Sequence, residues 1–159
     1  MSRKRLVAGN WKLYKNLRES AELASALVHT QGAASSIEIA VAPVFTALSK
    51  VAEVLKGSSI ALAAQDVFWE PQGAFTGEVG PLQLSDIGCR YVIVGHSERR
   101  QLFGETDEQV GRKVKAVLAH GMAPILCVGE TLEEREAGQA ESVVVRQLQA
   151  GLRGLGTDA

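Results

Sequence analysis

Three side chains, His96, Asn10 and Lys12, have the types and settings that chemistry asks for. His96 stands one residue past Gly95, where the β-prone run Tyr91-Val92-Ile93-Val94 gives way to Ser97-Glu98-Arg99-Arg100. That reads as a buried strand opening onto a polar mouth. In parallel α/β proteins ligands bind at the carboxyl ends of strands, so a histidine at such an end is a candidate for proton chemistry. The plain alternative is a solvated or hydrogen-bonded side chain with no chemical role. Asn10 and Lys12 have a similar setting: in Gly9-Asn10-Trp11-Lys12 an amide and an ammonium follow a glycine, where the backbone can approach a ligand closely.

The composition sets bounds on that chemistry. The sequence has 159 residues, 46% hydrophobic and 22% charged, an ordinary globular mixture sized for one core and one domain, here residues 1–159. The formal net charge is −1, and charges of both signs are mixed along the chain, so no broad field favours nucleic acid or an anionic membrane. An acidic ligand would have to be attracted locally. Met1-Ser2-Arg3-Lys4-Arg5 resembles the start of a signal peptide, but the apolar run after it is only Leu6-Val7-Ala8, so neither secretion nor a membrane span is expected. Cys89 and Cys127 have no CxxC spacing and no histidine at metal-ligand distance, which predicts two reduced thiols in a cytosolic protein with no metal.

The elements that would position these residues follow from pattern. Arg5 to Asn10 reads as the first strand, and Asn16 with Glu19 as a capping-box-like start to a helix whose inner face is Leu17, Ala21, Ala24 and Val28. Gly32 to Ser36 is a small-residue turn, and Ile37 to Ala42, apolar but for Glu38, is a strand of a buried parallel sheet, ended by Pro43. Leu48, Val51 and Leu55 recur at helical spacing before Gly57, and Ile60 to Gln65 is a third strand. The connector Asp66 to Gly80 is unusually long and carries Phe68, Trp69, Phe75 and Thr76. It is either a loop that docks against a second subunit or an Ω-loop packed on its own domain.

Pro81 to Ile87 predicts a short helix with proline in its first position, followed by the Tyr91 to Val94 strand. Thr106 and Gln109 form a second capping-box pair, ahead of a buried stripe of Val110, Val114, Val117 and Leu118 and a stop at Gly121. Ala123 to Val128 is the fifth strand, Thr131 with Glu134 opens a polar turn, and Val144, Val145, Leu148 and Leu152 are the expected inner face of the last helix.

Strand starts near 6, 37, 60, 91 and 123 repeat about every 29 residues. Eight such units would need about 235 residues, close to the roughly 250 of a (β/α)8 barrel. The chain then reads as five-eighths of a barrel. A complete five-stranded doubly wound sheet of flavodoxin type also fits the length, although no glycine-rich dinucleotide fingerprint follows the first strand.

Four motifs carry a resemblance to a known family: Ala8-Gly9-Asn10-Trp11-Lys12, Gly73-Ala74-Phe75-Thr76-Gly77-Glu78, Val94-Gly95-His96-Ser97-Glu98-Arg99-Arg100 and Cys127-Val128-Gly129-Glu130-Thr131. In this order and spacing, from about residue 5 to the end, the sequence resembles triosephosphate isomerase. The resemblance favours the barrel and implies a cofactor-free isomerase of glycolysis and gluconeogenesis in the cytoplasm. Such an enzyme interconverts dihydroxyacetone phosphate and glyceraldehyde 3-phosphate through an enediolate.

It further implies that His96 polarises the substrate carbonyl and that Asn10 donates an amide to the same oxygen. Lys12 would hold the anionic substrate, and Glu98 would pair with Lys12. Ser97, Arg99 and Cys127 would be supporting residues. Phe75, Thr76, Gly77 and Glu78 would form a homodimer contact through the 66–80 loop, with Thr76 reaching into the neighbouring subunit's site. In that family the histidine is a neutral imidazole beside a helix N-terminus, and a short helix could begin here at Ser97.

The family's basic glutamate, its lid and its glycine-rich phosphate segments have no counterpart in this sequence. Glu130, Glu133, Glu134 and Glu136 lie after the fifth strand, and none sits in the family's base motif. The chain alone is therefore expected to be nearly inactive. Its first and fifth strands would be unpaired edges, which predicts either association or membership of a longer protein.

Overall fold

The computed structural model describes residues 5–30 and 37–156, so the turn expected at Gly32 to Ser36 lies outside the described residues. Five strands form one sheet: β1 (Arg5–Asn10), β2 (Ile37–Ala42), β3 (Ile60–Ala64), β4 (Cys89–Val94) and β5 (Ala123–Leu126). Their order in space is their order in sequence, and each neighbouring pair is parallel. A flavodoxin-type sheet would need its strand order to reverse at a switch point. The unbroken order β1 to β5 is that of a barrel in progress, curled with its helices outside.

The two faces of the sheet pack into separate clusters. Val41, Leu62, Ala64, Val92 and Val94 point outward into a core shared with the helices. Ala40, Ala42, Ala63 and Ile93 form a second, inward cluster with Ala61, Tyr91, Ile125 and Cys127 packed against it. The alanines that β2 and β3 turn inward fit the concave side of a closely curved sheet. A register shift between β3 and β4, where Leu62 faces Cys89 but Ala63 faces Tyr91, leaves Arg90 without a partner. That extra residue switches the parity of the strand, so that Cys89 packs outward while Tyr91 and Ile93 face inward.

The helices are α1 (Leu17–Thr30), α2 (Leu48–Leu55), α3 (Pro81–Asp86), α4 (Ser97–Phe103), α5 (Asp107–Ala119), α6 (Leu132–Glu136) and α7 (Ala140–Leu152), with a 3₁₀ turn at Phe45–Ala47. Their starts follow local chemistry. Asn16 Oδ1 accepts the N–H of Glu19 at 3.0 Å while Glu19 Oε2 accepts the N–H of Asn16 at 3.0 Å. Thr106 with Gln109 and Thr131 with Glu134 form the same reciprocal pair at α5 and α6. The predicted stripes of α2 (Leu48, Val51, Leu55) and α5 (Val110, Val114, Val117) are buried, with Leu118 partly so.

Two expectations need correction. In α1, Ala24 is buried, but Leu17 is exposed and Ser20 is buried in its place. In α7 the buried residues are Val143, Gln147 and Gly151, whereas Val145, Leu148 and Leu152 are exposed. Close approach explains the rotation of α7. A Cβ on Gly111 of α5 would lie 2.8 Å from the carbonyl oxygen of Ala150, and one on Gly151 would lie 2.8 Å from the Leu126 side chain. The helix therefore packs through its small residues, and Gln147 adds two bonds, donating to Gly129 O at 3.1 Å and accepting from Gly129 N at 2.8 Å. The fifth strand ends two residues earlier than expected, at Leu126, although the N–H of Cys127 still donates to Val94 O at 2.9 Å.

Both outer strands are edges. β1 is exposed along Arg5 to Gly9, and β5 accommodates Pro124, a residue that sheets tolerate at an edge. No described helix is long and apolar enough to cross a membrane.

Candidate active site at the carboxyl ends of the strands

Asn10 is the last residue of β1, and Lys12 follows in a turn with a left-handed backbone, φ 53°. A non-glycine residue there is strained by an amount on the order of 1–3 kcal/mol and persists only when its surroundings impose it. Two amides do so. Asn10 Oδ1 accepts the N–H of Lys12 at 2.9 Å. Gln65, just past β3, donates from Nε2 to Lys12 O at 2.9 Å and to Ala42 O at 2.8 Å. Because Asn10 accepts through its oxygen, its NH₂ group is left to donate.

On the other side of the mouth, β4 ends at Val94 and Gly95 turns the chain with φ 73°. A Cβ at Gly95 would lie about 3.0 Å from both Arg100 and Val110, so the turn is a glycine position on steric as well as conformational grounds. His96 is the N-cap of α4, and its Nδ1 accepts the N–H of Glu98 at 3.2 Å. An amide N–H can only donate, so Nδ1 carries no proton and Nε2 does. The histidine thus presents an N–H on its far nitrogen, with its side chain mostly covered.

Glu98 joins the two sides. Its Oε1 lies 2.9 Å from Lys12 Nζ, and its Oε2 lies 3.5 Å from His96 Nδ1, farther than the amide that satisfies that nitrogen. The hydrogen bond from Lys12 lowers the Glu98 carboxyl from its ordinary value, and the same bond raises the Lys12 ammonium. Asn10, Lys12, His96 and Glu98, distant in sequence, are therefore brought to one end of the sheet. The arrangement offers an amide donor, an imidazole N–H and an ammonium, the set needed to stabilise negative charge on a ligand oxygen.

The other predicted site residues take supporting positions. Ser97 opens α4 beside a small polar cavity of about 400 Å³ that also touches Arg100, Asp107 and Thr131. Arg99 turns away from the mouth into a buried ion cluster with Asp66 and Glu105. Cys127 is half-buried behind the inner cluster, and burial pushes its thiol up. Glu130 is paired with Arg135. In the 66–80 segment, Phe68 stacks near Trp69 and Phe75, with centroids 4.2 and 4.6 Å away, and residues 72–78 are exposed. The loop therefore packs on itself through Phe68, Trp69 and Phe75, while Phe75, Thr76, Gly77 and Glu78 keep exposed surface at its tip.

Sequence reasoning missed Gln65 and Arg100. Gln65 carried no signal beyond its place at a strand end. Arg100 donates from Nε to Gly95 O at 2.8 Å, from Nη1 to Asp107 Oδ1 at 2.6 Å and from Nη2 to Cys127 O at 3.3 Å, clamping the ends of β4 and β5. A larger cavity of about 810 Å³, lined by Glu38, Lys56, Ser58 and Arg90 among others, lies at the opposite, amino-terminal end and takes no part in this constellation.

Comparison with known proteins identifies the family. The family model described as triosephosphate isomerase matches residues 5–159. The chain is 58% identical over 149 residues to the triosephosphate isomerase of Pelobacter propionicus, covering 94% of this chain and 59% of the relative. It is 56% identical over 153 residues to that of Roseiflexus sp. (strain RS-1), covering 96% and 60%. It is 54% identical over 156 residues to that of Geotalea uraniireducens, covering 98% and 62%. The chain thus spans about 60% of the length of the curated relatives it matches. With five parallel strands in barrel order and a match over nearly its whole length, the chain belongs to the triosephosphate isomerase family.

Proposed function

We propose that this chain carries the polarising half of a triosephosphate isomerase site, acting on dihydroxyacetone phosphate and glyceraldehyde 3-phosphate. The observation that supports it is the meeting of Asn10, Lys12 and His96 at one mouth, with Glu98 touching the last two. When a base removes a proton from the carbon beside the carbonyl, negative charge moves onto the carbonyl oxygen. The Asn10 amide and the His96 Nε2–H then donate to that oxygen, while the Lys12 ammonium holds the anionic substrate and Glu98 holds Lys12 in place. Preorganised donors of this kind are worth several kcal/mol in a pocket that excludes water. His96 next passes its Nε2 proton to this oxygen and takes one from the neighbouring hydroxyl, which moves the negative charge to the adjacent oxygen; return of the base's proton to the former carbonyl carbon then leaves the carbonyl on its neighbour.

Residues 1–159 alone should be nearly inactive, because their motifs include no counterpart of the family's base, lid or phosphate segments. The test is a chimera that joins this chain to the remaining β/α units of the Pelobacter propionicus relative, assayed for isomerase turnover. Turnover is expected in the chimera and not in the 159-residue chain. His96→Gln and Lys12→Met should each lower kcat/KM by about 10²-fold or more. Normal turnover in either variant would overturn the assignment.

The exposed backbone of β1 and the uncovered Val145, Leu148 and Leu152 of α7 favour a second reading, a non-catalytic half-barrel that pairs with itself or with a complementary chain. In the complete protein a homodimer would use the tip of the 66–80 loop; Leu13 and Tyr14 after β1, and Leu102 and Phe103 at the end of α4, are also exposed. Sedimentation of the 159-residue chain tests the half-barrel reading: a monomer at every concentration would rule out self-pairing.

A further inference from the structure

Helix α4 presents the site, yet none of its residues is buried, so apolar packing does not hold it. Behind it lies a closed ring of four ionised side chains drawn from four segments. Asp66, just past β3, has Oδ2 2.8 Å from Arg99 Nε in an ion pair and accepts from Lys113 Nζ at 2.6 Å through Oδ1. Glu105, between α4 and α5, accepts from Arg99 Nε at 3.2 Å and from Lys113 through the same oxygen, Oε1. The side chains of Asp66, Glu105 and Lys113 are each at least nine-tenths buried, and Arg99 is two-thirds buried.

Such a ring is a poor way to gain stability. Taking ions out of water costs about as much as their attraction returns, and apolar residues of similar size would often do better. Glu105 makes the point sharper, since its Oε2 is buried without a hydrogen-bond partner among the described residues. What directed ion pairs supply, and apolar contacts do not, is a fixed geometry. Here that geometry passes through Arg99, the neighbour of Glu98, whose carboxylate meets Lys12 and whose N–H sets the His96 ring.

We infer that the ring of Asp66, Arg99, Glu105 and Lys113 is a positioning device that holds α4, and with it Glu98 and the His96 ring, in register with Lys12. This rests on the reading of His96 and Lys12 as the polarising groups. None of the four residues touches substrate under that reading; they act through α4.

The experiment compares ring-nitrogen NMR shifts of the three histidines in the 159-residue chain with those in Lys113→Met and Asp66→Asn, at a pH where imidazole is neutral. His120 lies at the end of α5, the helix that carries Lys113, and its Nδ1 is bonded to Ala116 O at 2.8 Å. His29 bonds Ser25 O at 2.6 Å on the remote α1. Both are internal controls. In the parent chain His96 should have an unprotonated Nδ1 and a protonated Nε2. In both variants its two nitrogen shifts should converge towards tautomer averaging, while those of His120 and His29 hold.

Unchanged His96 shifts in folded variants would overturn the inference, as would equal movement of all three histidines. Unfolding of both variants would assign the ring to global stability and overturn it as well. A parent His96 protonated on Nδ1 would count against the reading of the site, whereas the selective response to the variants would still score the ring.

Discussion

The ammonium of Lys12 lies 2.9 Å from Oε1 of Glu98, an ion pair that joins the turn after β1 to the first turn of α4 across the open mouth of the half-barrel. Each partner is about half exposed, so the pair is screened by water and salt and matters more for position than for stability.

The signs of the two shifts keep the pair charged over the neutral range. Glu98 is lowered, so its contribution is present above its ordinary value of 4.5 and is lost as pH falls through the lowered one. Lys12 is raised, so its contribution is present below 10.5 and is lost as pH rises through the raised one. Lys12→Met should move the Glu98 carboxyl midpoint up towards 4.5 in a carbon-detected titration. A midpoint that stays put would mean the pair does not form in solution.

Gln65→Leu should disturb the site from a distance. The substitution removes both hydrogen bonds that Gln65 donates, to Lys12 O and Ala42 O, and leaves Asn10 as the side chain bonded to the backbone of Lys12. A loss of stability of about 0.5–1.5 kcal/mol is expected for each bond removed, since Ala42 O keeps the Trp11 N–H and Lys12 is exposed. The Glu98 midpoint should move in the same direction as in Lys12→Met, with the lysine still present. Retention of the parent midpoint would show that Gln65 does not hold the turn.

Gly95→Ala should destabilise more than Gly57→Ala. Both glycines have positive φ, 73° and 79°, which an L side chain adopts at a cost of about 1–2 kcal/mol. Gly57 has open space where a Cβ would go, whereas Gly95 has Arg100 and Val110 about 3.0 Å away. The crowding adds about 1–3 kcal/mol. Urea midpoints of the two variants measure the difference, and equal losses would mean that the Arg100 clamp yields freely.

Burial pushes the Cys89 thiol up to about 12, so in the folded chain it keeps its proton where a free thiol loses it. Stability from this group is full below the ordinary value of 9.0 and falls as pH rises from there towards 12, because the unfolded chain ionises first. Cys89 should therefore resist iodoacetamide at pH 8 until urea unfolds the chain, with modification followed by mass spectrometry. Rapid labelling of Cys89 in the native state would contradict its burial.

Much of the fold was legible in the sequence because its signals are local. The reciprocal caps at Asn16 and Glu19, Thr106 and Gln109, and Thr131 and Glu134 need only a one-turn spacing, and all three form. The apolar stripes of α2 and α5 and the apolar runs of β2 and β3 are likewise short-range patterns, and they reappear as buried residues. Asn10, Lys12, His96 and Glu98 were legible as residue types at strand ends and through family motifs. Their meeting across Glu98 is a property of the curled sheet that brings the end of β1 to the end of β4.

What only the tertiary structure decided depends on partners far apart in the chain. Gln65 acts on Lys12 across 53 residues, and Lys113 meets Asp66 across 47, separations at which no periodicity survives. The inner face of α7 went the same way. Its apolar residues predicted one orientation, but close packing of Gly151 on Leu126 and of Gly111 on Ala150 turned the helix to another. The order of residues along the chain determines which elements form and where they cap. How a helix is rotated, and which charges meet beneath it, is decided by the space its neighbours leave.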